Sequence, residues 1–237
     1  MVKREKSGTT LLEKAGRKIG INFSNYAFLE EALTHRSYLN ENRGIRKNHN
    51  ERLEFLGDAV LELIVTEYLF ANFPNPEGDL TNWRAALVNG EHLASVAKEL
   101  GIEEFILMSK GEKKDTGKAR MYILANAMEA IIGAIYLDQG YSVAKNFVAE
   151  KIIIHLKSIL KSKSYLDAKS YFQEKAQEIF QITPHYELIK EWGPDHDKKF
   201  LVAVMLGEEK VAEGQGMSKQ EAQRKAAQNG LKVKGWI

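Results

Sequence analysis

The chain contains no cysteine among its 237 residues, which excludes disulfides, thiolate metal sites and cysteine nucleophiles and fits a reducing compartment. It also lacks a strong bias of charge. Its 34 Lys and Arg against 32 Asp and Glu leave a formal net charge of +2, so any polyanionic partner must be met by locally arranged basic residues. No apolar run approaches the roughly 18 residues needed to span a bilayer. The basic start, Met1 to Lys6, is followed by no signal-peptide core. A soluble, cytoplasmic protein with no membrane partner is therefore expected. Proline is scarce at four residues, and two of these, Pro74 and Pro76, form a breaker in Pro-Asn-Pro-Glu-Gly.

What the chain does have is 44% apolar residues, enough for a packed core in one large domain or two modest ones. The first two-thirds reads as helices over Asn25–Leu33, Asn50–Phe73, Thr81–Leu87, Gly90–Leu100, Arg120–Leu137 and Ser142–Leu160, with a loop over Lys110–Lys118. Arg120–Leu137 is apolar around much of its circumference and is expected to be buried. A polar stretch at residues 161–166 suits a linker. Beyond it, a helix over Asp167–Phe180 and a closing helix over Ser218–Leu231 flank strand-like segments at Pro184–Glu191, Lys199–Leu206 and Lys210–Gly214. The expected architecture is multidomain: an all-α domain over residues 1–160, then a small α+β module (α-β-β-β-α) over residues 167–237.

Glu51, Glu54 and Asp58 stand at i, i+3 and i+7, so they project from one face of an otherwise apolar helix. Like charges at such spacings weaken a helix by a few tenths of a kcal/mol per pair, roughly, so a cationic partner is expected. Glu129 lies among small and apolar side chains, where a lone carboxylate is costly, and Asn126 sits one turn earlier. Ala125, Ala130, Gly133 and Ala134 would let a second helix approach closely. If that helix is Asn50–Phe73, then Glu54, Asp58, Asn126 and Glu129 surround one pocket of hard oxygen donors. Such donors select Mg²⁺ or Mn²⁺ over zinc or copper, and these ions promote phosphodiester hydrolysis. Salt bridges from these acids to Arg52, Arg84 or lysines remain the structural alternative. A ferritin-like site would need Glu-x-x-His pairs, which the helical part lacks.

The C-terminal module is neutral overall, yet residues 214–237 carry five basic residues against one acid, Glu221. Lys219 falls in the first turn of the last helix, where the positive dipole end also attracts phosphate. On charge alone a solvated helix face explains this equally well. The order of elements is what favours binding of double-stranded RNA.

These residues resemble a known family. Asn50 to Leu61 is similar to the signature of bacterial ribonuclease III, the double-strand-specific RNA endonuclease. Leu33-Thr34-His35-Arg36-Ser37-Tyr38, Glu77-Gly78-Asp79-Leu80 and Ile123–Asp138 agree in order and spacing. Asp167–Gln177, Gly193-Pro194-Asp195-His196 and Gly214-Gln215-Gly216 leading into Ser218-Lys219 resemble a double-stranded RNA-binding domain. The likeness covers roughly Gly20 to Leu231.

The resemblance implies a homodimeric Mg²⁺-dependent endoribonuclease, Mn²⁺ able to substitute, with no small-molecule substrate. It would cut structured precursor RNA (ribosomal, messenger, transfer) to 5′-phosphate and 3′-hydroxyl ends with short 3′ overhangs. It assigns the metal to Glu54, Asp58, Asn126 and Glu129, with Asp58 and Glu129 the indispensable catalytic pair. Glu51 and Glu77 would line the substrate cleft. Phe55 would insert into the partner subunit, against the plainer reading of core packing, and His35 would be structural. Ser170, Gln173 and Glu174 would enter one minor groove and Pro194 to His196 the next, with Lys219, Gln223 and Arg224 near the phosphates between.

One position departs from the pattern. The family usually has Asp where this chain has Asn126, and an amide brings a carbonyl oxygen but no charge. Asn126 is then either a natural variant with weakened metal affinity or a substitution that slows cleavage. The second reading of the chain follows from it: a catalytically weakened or inactive double-stranded RNA-binding protein.

Overall fold

The computed structural model describes residues 2–45, 47–162, 167–194 and 197–237; most of the expected linker, and His196, lie outside the described residues. The chain divides into two compact units, residues 1–161 and 162–237.

In the first unit α1 (Val2–Ile19), α2 (Tyr26–Ala32) and α3 (Arg36–Glu41) precede the long α4 (Glu51–Asn72). Asn25 caps α2, its side chain accepting from the Ala27 N–H at 3.0 Å. Asn50 is buried at the head of α4 and donates its backbone N–H to the Thr34 carbonyl at 2.9 Å. Pro74, just after α4, biases Phe73 to the extended conformation it adopts. Then come α5 (Glu77–Val88), α6 (Gly90–Glu99) and α7 (Lys110–Lys114). The last occupies part of the expected loop. Ser109 makes the difference, its hydroxyl accepting from the Glu112 N–H at 3.1 Å and so starting a single turn.

The unit closes with α8 (Lys118–Lys151) and α9 (Leu156–Ser162). Lys161 and Ser162, expected in the linker, belong to α9. Gly140, at φ 80°, interrupts α8 between the two helices read from sequence. Residues Ile123 to Ile135 of α8 are buried around most of the circumference, as their composition implied. The stretch Lys118–Lys161 does contain an 18-residue window apolar enough to cross a membrane by length and composition, contrary to the sequence reading. Some 61% of that window is buried, and packing of α8 on α4 and α6 accounts for its apolarity.

The contact of α4 with α8 is a backbone contact. A Cβ added at Gly57 would fall 1.8 Å from the Glu129 carbonyl oxygen, and one at Gly133 would fall 2.4 Å from that of Leu53. Leu53, Val60, Leu61, Ile64, Val65 and Leu69 fill the buried stripe of α4 around this crossing.

The second unit runs α10 (Ala168–Phe180), β1 (His185–Trp192), β2 (Lys199–Leu206), β3 (Glu209–Gly216) and α11 (Lys219–Val233). The strands form an antiparallel sheet in the order β1-β2-β3, with Ile189 bulged where Leu188 faces Val202 and Lys190 faces Leu201. Phe172, Val204, Leu206, Ala226, Ala227 and Leu231 make its core. Gly214 and Gly216 let α11 lie on β3, since a Cβ there would come within 2.1 Å of the Ala226 nitrogen and 2.6 Å of the Ala222 nitrogen. Asp167 caps α10 by accepting from Lys169 and Ser170, while Ser218 accepts from the Glu221 N–H and Glu221 from that of Met217.

The crossing gives a sharp contrast. Gly57→Ala is expected to destabilise the protein by about 3 kcal/mol, because backbone must move. Gly78→Ala on α5, where an added Cβ meets nothing within 4 Å, is expected to be neutral or to stabilise by up to about 1 kcal/mol. Denaturant unfolding of the two variants measures both.

Candidate functional site

At the α4–α8 crossing the backbones touch, so side chains beside Gly57 and Glu129 are forced to share one space. Glu54 and Asp58 flank Gly57 on α4; Asn126 and Glu129 lie one turn apart on α8. Glu129 is partly buried, and burial first, then the charges of Asp58 and Glu54, push its carboxyl up to about 8. The Glu54 carboxyl is also raised, by burial and by Glu51 and Asp58, against an opposing hydrogen bond from Asn126. A carboxylate only accepts, so the Asn126 amide nitrogen donates and its carbonyl oxygen is left over. Among the described residues no Lys or Arg makes an ion pair with Glu54, Asp58 or Glu129, and Arg84, a sequence candidate, donates to Thr66 instead at 3.1 Å.

Three acids and an amide thus stand at one crossing with no ion-paired Lys or Arg among the described residues. Among the described residues, no group of three or more His, Asp or Glu side chains is arranged to hold a metal ion as it stands. The donor chemistry, oxygen only, fits a hard divalent cation.

Other sequence candidates fall around this centre or away from it. Glu51 is exposed, 3.3 Å from Arg36 and 3.8 Å from Nδ1 of His49. Glu77 opens α5, accepts from the Thr81 hydroxyl at 2.9 Å, and lines a separate cavity of about 620 Å³ with Phe70, Phe73, Leu80 and Arg84. It does not join the carboxylates within one chain. Phe55 is 82% exposed, which overturns the core-packing reading. It shares a stripe of α4 with Leu63 and Phe70, themselves 58% and 82% exposed. His35 caps α3, its Nδ1 2.8 Å from the Ser37 hydroxyl, and burial lowers its pKa.

On the second unit, Ser170, Gln173 and Glu174 lie exposed along α10, opposite the buried Ala168, Phe172 and Ala176. Lys219 and Arg224 are exposed on α11, and Gln223 is half-buried. Pro194 is exposed after Gly193, whose φ of 95° sets the turn. Lys198 and Lys225 pair with Glu191 at 3.2 Å and Glu221 at 2.8 Å. Sequence reasoning missed the role of Gly57, although a glycine inside a strong helix was the available signal, and missed Lys169, which nothing in its neighbours marks out.

A family model described as Ribonuclease-III-like matches residues 25–156, and one described as a double-stranded RNA binding motif matches residues 168–234. The chain belongs to the ribonuclease III family. It is 44% identical over 216 residues to Ribonuclease 3 of Enterococcus faecalis, covering 91% of this chain and 94% of the relative. To Ribonuclease 3 of Borreliella afzelii it is 42% identical over 216 residues, 91% of this chain and 88% of that one. Its fold is similar to the ribonuclease III nuclease domain from Campylobacter jejuni, with a TM-score of 0.54 and 45% identity, covering 60% of this chain and 95% of that one. That structure describes flexibility in a region involved in dimer formation. The protein is a ribonuclease III endoribonuclease, a helical nuclease domain followed by a double-stranded RNA-binding domain.

In this ribonuclease III the Glu129 carboxyl, with a folded value of about 8 against the ordinary 4.5, makes stability depend on pH. Between those values the folded protein keeps a proton that the unfolded chain has lost, so stability falls as pH rises through the window. Without divalent cations, Glu129→Gln is expected to melt about 2–4 °C above the parent at pH 8 and close to it near pH 5. A thermal melt series across that range tests the carboxyl directly. A pH-independent offset would deny its burial cost.

Proposed function

We propose that this ribonuclease III cleaves double-stranded RNA with Mg²⁺, or Mn²⁺ in its place, held by Glu54, Asp58, Glu129 and the carbonyl oxygen of Asn126. The observation that carries this is the Glu129 carboxyl, held near 8 beside two further acids. A site that binds a proton so far above the ordinary carboxylate range, with no Lys or Arg ion-paired to it among the described residues, is one where a divalent cation removes a standing cost. When bound, the cation supplies Lewis acidity and positive charge beside the scissile phosphate. Asp58 and Glu129 are the catalytic pair in this reading, and Glu54 with Asn126 completes the ligand set. Hydrolysis forms a bond from water oxygen to phosphorus and breaks the bond to the 3′ oxygen, which takes up a proton. The ends are then 5′-phosphate and 3′-hydroxyl.

The exposed stripe of Phe55, Leu63 and Phe70 supports a homodimer. Monomers rarely expose large aromatic side chains in a row, and the apolar cavity at the end of the stripe, walled by Leu69, Phe73 and Leu80, could receive one from a second copy. A two-fold pair would carry two sets of carboxylates, one per strand, giving a short 3′ overhang. In such a pair Glu77 and Glu51 would line the substrate cleft. The second unit would hold A-form RNA by Ser170, Gln173 and Glu174 in one minor groove, Pro194 and His196 in the next, and Lys219, Gln223 and Arg224 at phosphates. Structured precursor RNA in the cytoplasm is the substrate this reading implies.

Retention of all three carboxylates weighs against a binding-only protein, because apposed acids cost stability and binding does not need them. Glu129→Gln is expected to abolish cleavage of a perfect RNA duplex at millimolar Mg²⁺, while Asn126→Asp is expected to lower the Mg²⁺ concentration needed for half-maximal rate. Gel assays measure both, and full-rate cleavage by Glu129→Gln would sink the metal assignment. Phe55→Asp is expected to shift the protein from dimer to monomer in sedimentation and to reduce double-strand cutting with it.

A further inference from the structure

On the α10 and α11 face of the second unit, Lys169 does not project freely. Its Nζ donates to Oε1 of Gln223 on α11 at 2.8 Å and stands 5.0 Å from the centre of the Tyr186 ring on β1. Its backbone N–H is held by the Asp167 carboxylate at 2.8 Å. One ammonium therefore joins three elements. The Tyr186 hydroxyl is buried without a hydrogen-bond partner among the described residues, and burial with the nearby Asp167 holds that phenol up at about 12, so the ring is a neutral, partly desolvated seat for the cation. An ammonium has donors and no acceptor, so the group it meets on Gln223 must be the oxygen. With its oxygen turned to Lys169, Gln223 presents its amide nitrogen, with two N–H donors, to a ligand. Without Lys169 the amide could turn and present either end.

We propose that Lys169 is a positioning residue for RNA binding: it presents Gln223 as a donor to an acceptor oxygen of the duplex and does not itself touch phosphate. Lys219 is the contrasting case. It is exposed on the first turn of α11, its Nζ 6.0 Å from the Phe200 ring, and is free to meet a phosphate. The inference rests on the RNA-binding reading of α11, and the experiment separates the two.

The full chain is titrated with a perfect RNA duplex in metal-free buffer, so that nothing is cut, across a series of salt concentrations. Lys169→Met is expected to weaken binding roughly five-fold, the effect of one hydrogen bond, with the salt slope of the parent. Lys219→Met is expected to weaken binding and make the slope shallower by about one, as loss of a phosphate contact does. Gln223→Met added to Lys169→Met should cost little more, since the two act as a unit. Lys169→Arg, which keeps the ring contact and the donor, should bind as the parent does. Should Lys169→Met melt below the assay temperature, Lys169→Gln, uncharged but still a donor, provides the same comparison of slopes. The proposal is overturned by a slope for Lys169→Met or Lys169→Gln as shallow as that of Lys219→Met. It is equally overturned by additive losses with Gln223→Met, or by unchanged binding of Lys169→Met while Lys219→Met binds weakly. Unchanged binding by Lys219→Met and Gln223→Met would remove the RNA face itself, and this inference with it.

Discussion

The approach of two helix backbones at Gly57 and Gly133 is the constraint on which the nuclease unit depends. No side chain separates α4 from α8 there, so the residues next to the contact are pressed into a common space. On the buried side that space is filled by aliphatic groups. On the other it receives Glu54, Asp58, Asn126 and Glu129. The same closeness that makes the core dense denies the carboxylates room to avoid one another. The raised Glu129 carboxyl is therefore a consequence of packing geometry as much as of composition. Stability and reactivity draw on one contact and oppose each other across it.

The second unit solves an equivalent problem with the same residue type. Gly214 and Gly216 bring α11 down onto β3, and that descent sets the height at which Lys219, Gln223 and Arg224 stand. Glycine inside regular structure ordinarily weakens it. In both units it is placed where a backbone must come close, and the functional side chains are carried by the element that approaches.

Much of this was legible in the sequence. The acidic stripe, the all-round apolarity of α8, the gap at Gly140 and the order helix, three strands, helix follow from periodicity and breakers, which are local. The second unit's caps, Asp167 and Ser218, are local too. What stayed hidden is non-local. α1 was missed because Val2–Ile19 is largely polar, and Ala15 and Ile19 are the apolar side chains seen fully buried among its described residues. α7 hangs on one serine cap. The exposure of Phe55 could not be read from α4, since an aromatic on an apolar-rich helix has the same spacing whether it faces a core or a partner. The cavity that Glu77 lines within one chain depends on how α5 returns along α4. The pairing of Lys198 with Glu191 and of Lys225 with Glu221 is set by the fold.

The apolarity of α8 also bears on how the protein is made. α4, which contributes the complementary glycine and the apolar stripe, is synthesised first and cannot bury that stripe by itself. Until α8 emerges, the nascent chain carries an unfilled groove, and until the two meet, α8 is a segment that hydrophobic surfaces will compete for. Chains that fold domain by domain during synthesis are most vulnerable at such moments. A slow ribosome between the codons for Asn72 and Lys118 would lengthen the interval in which α4 stands uncovered.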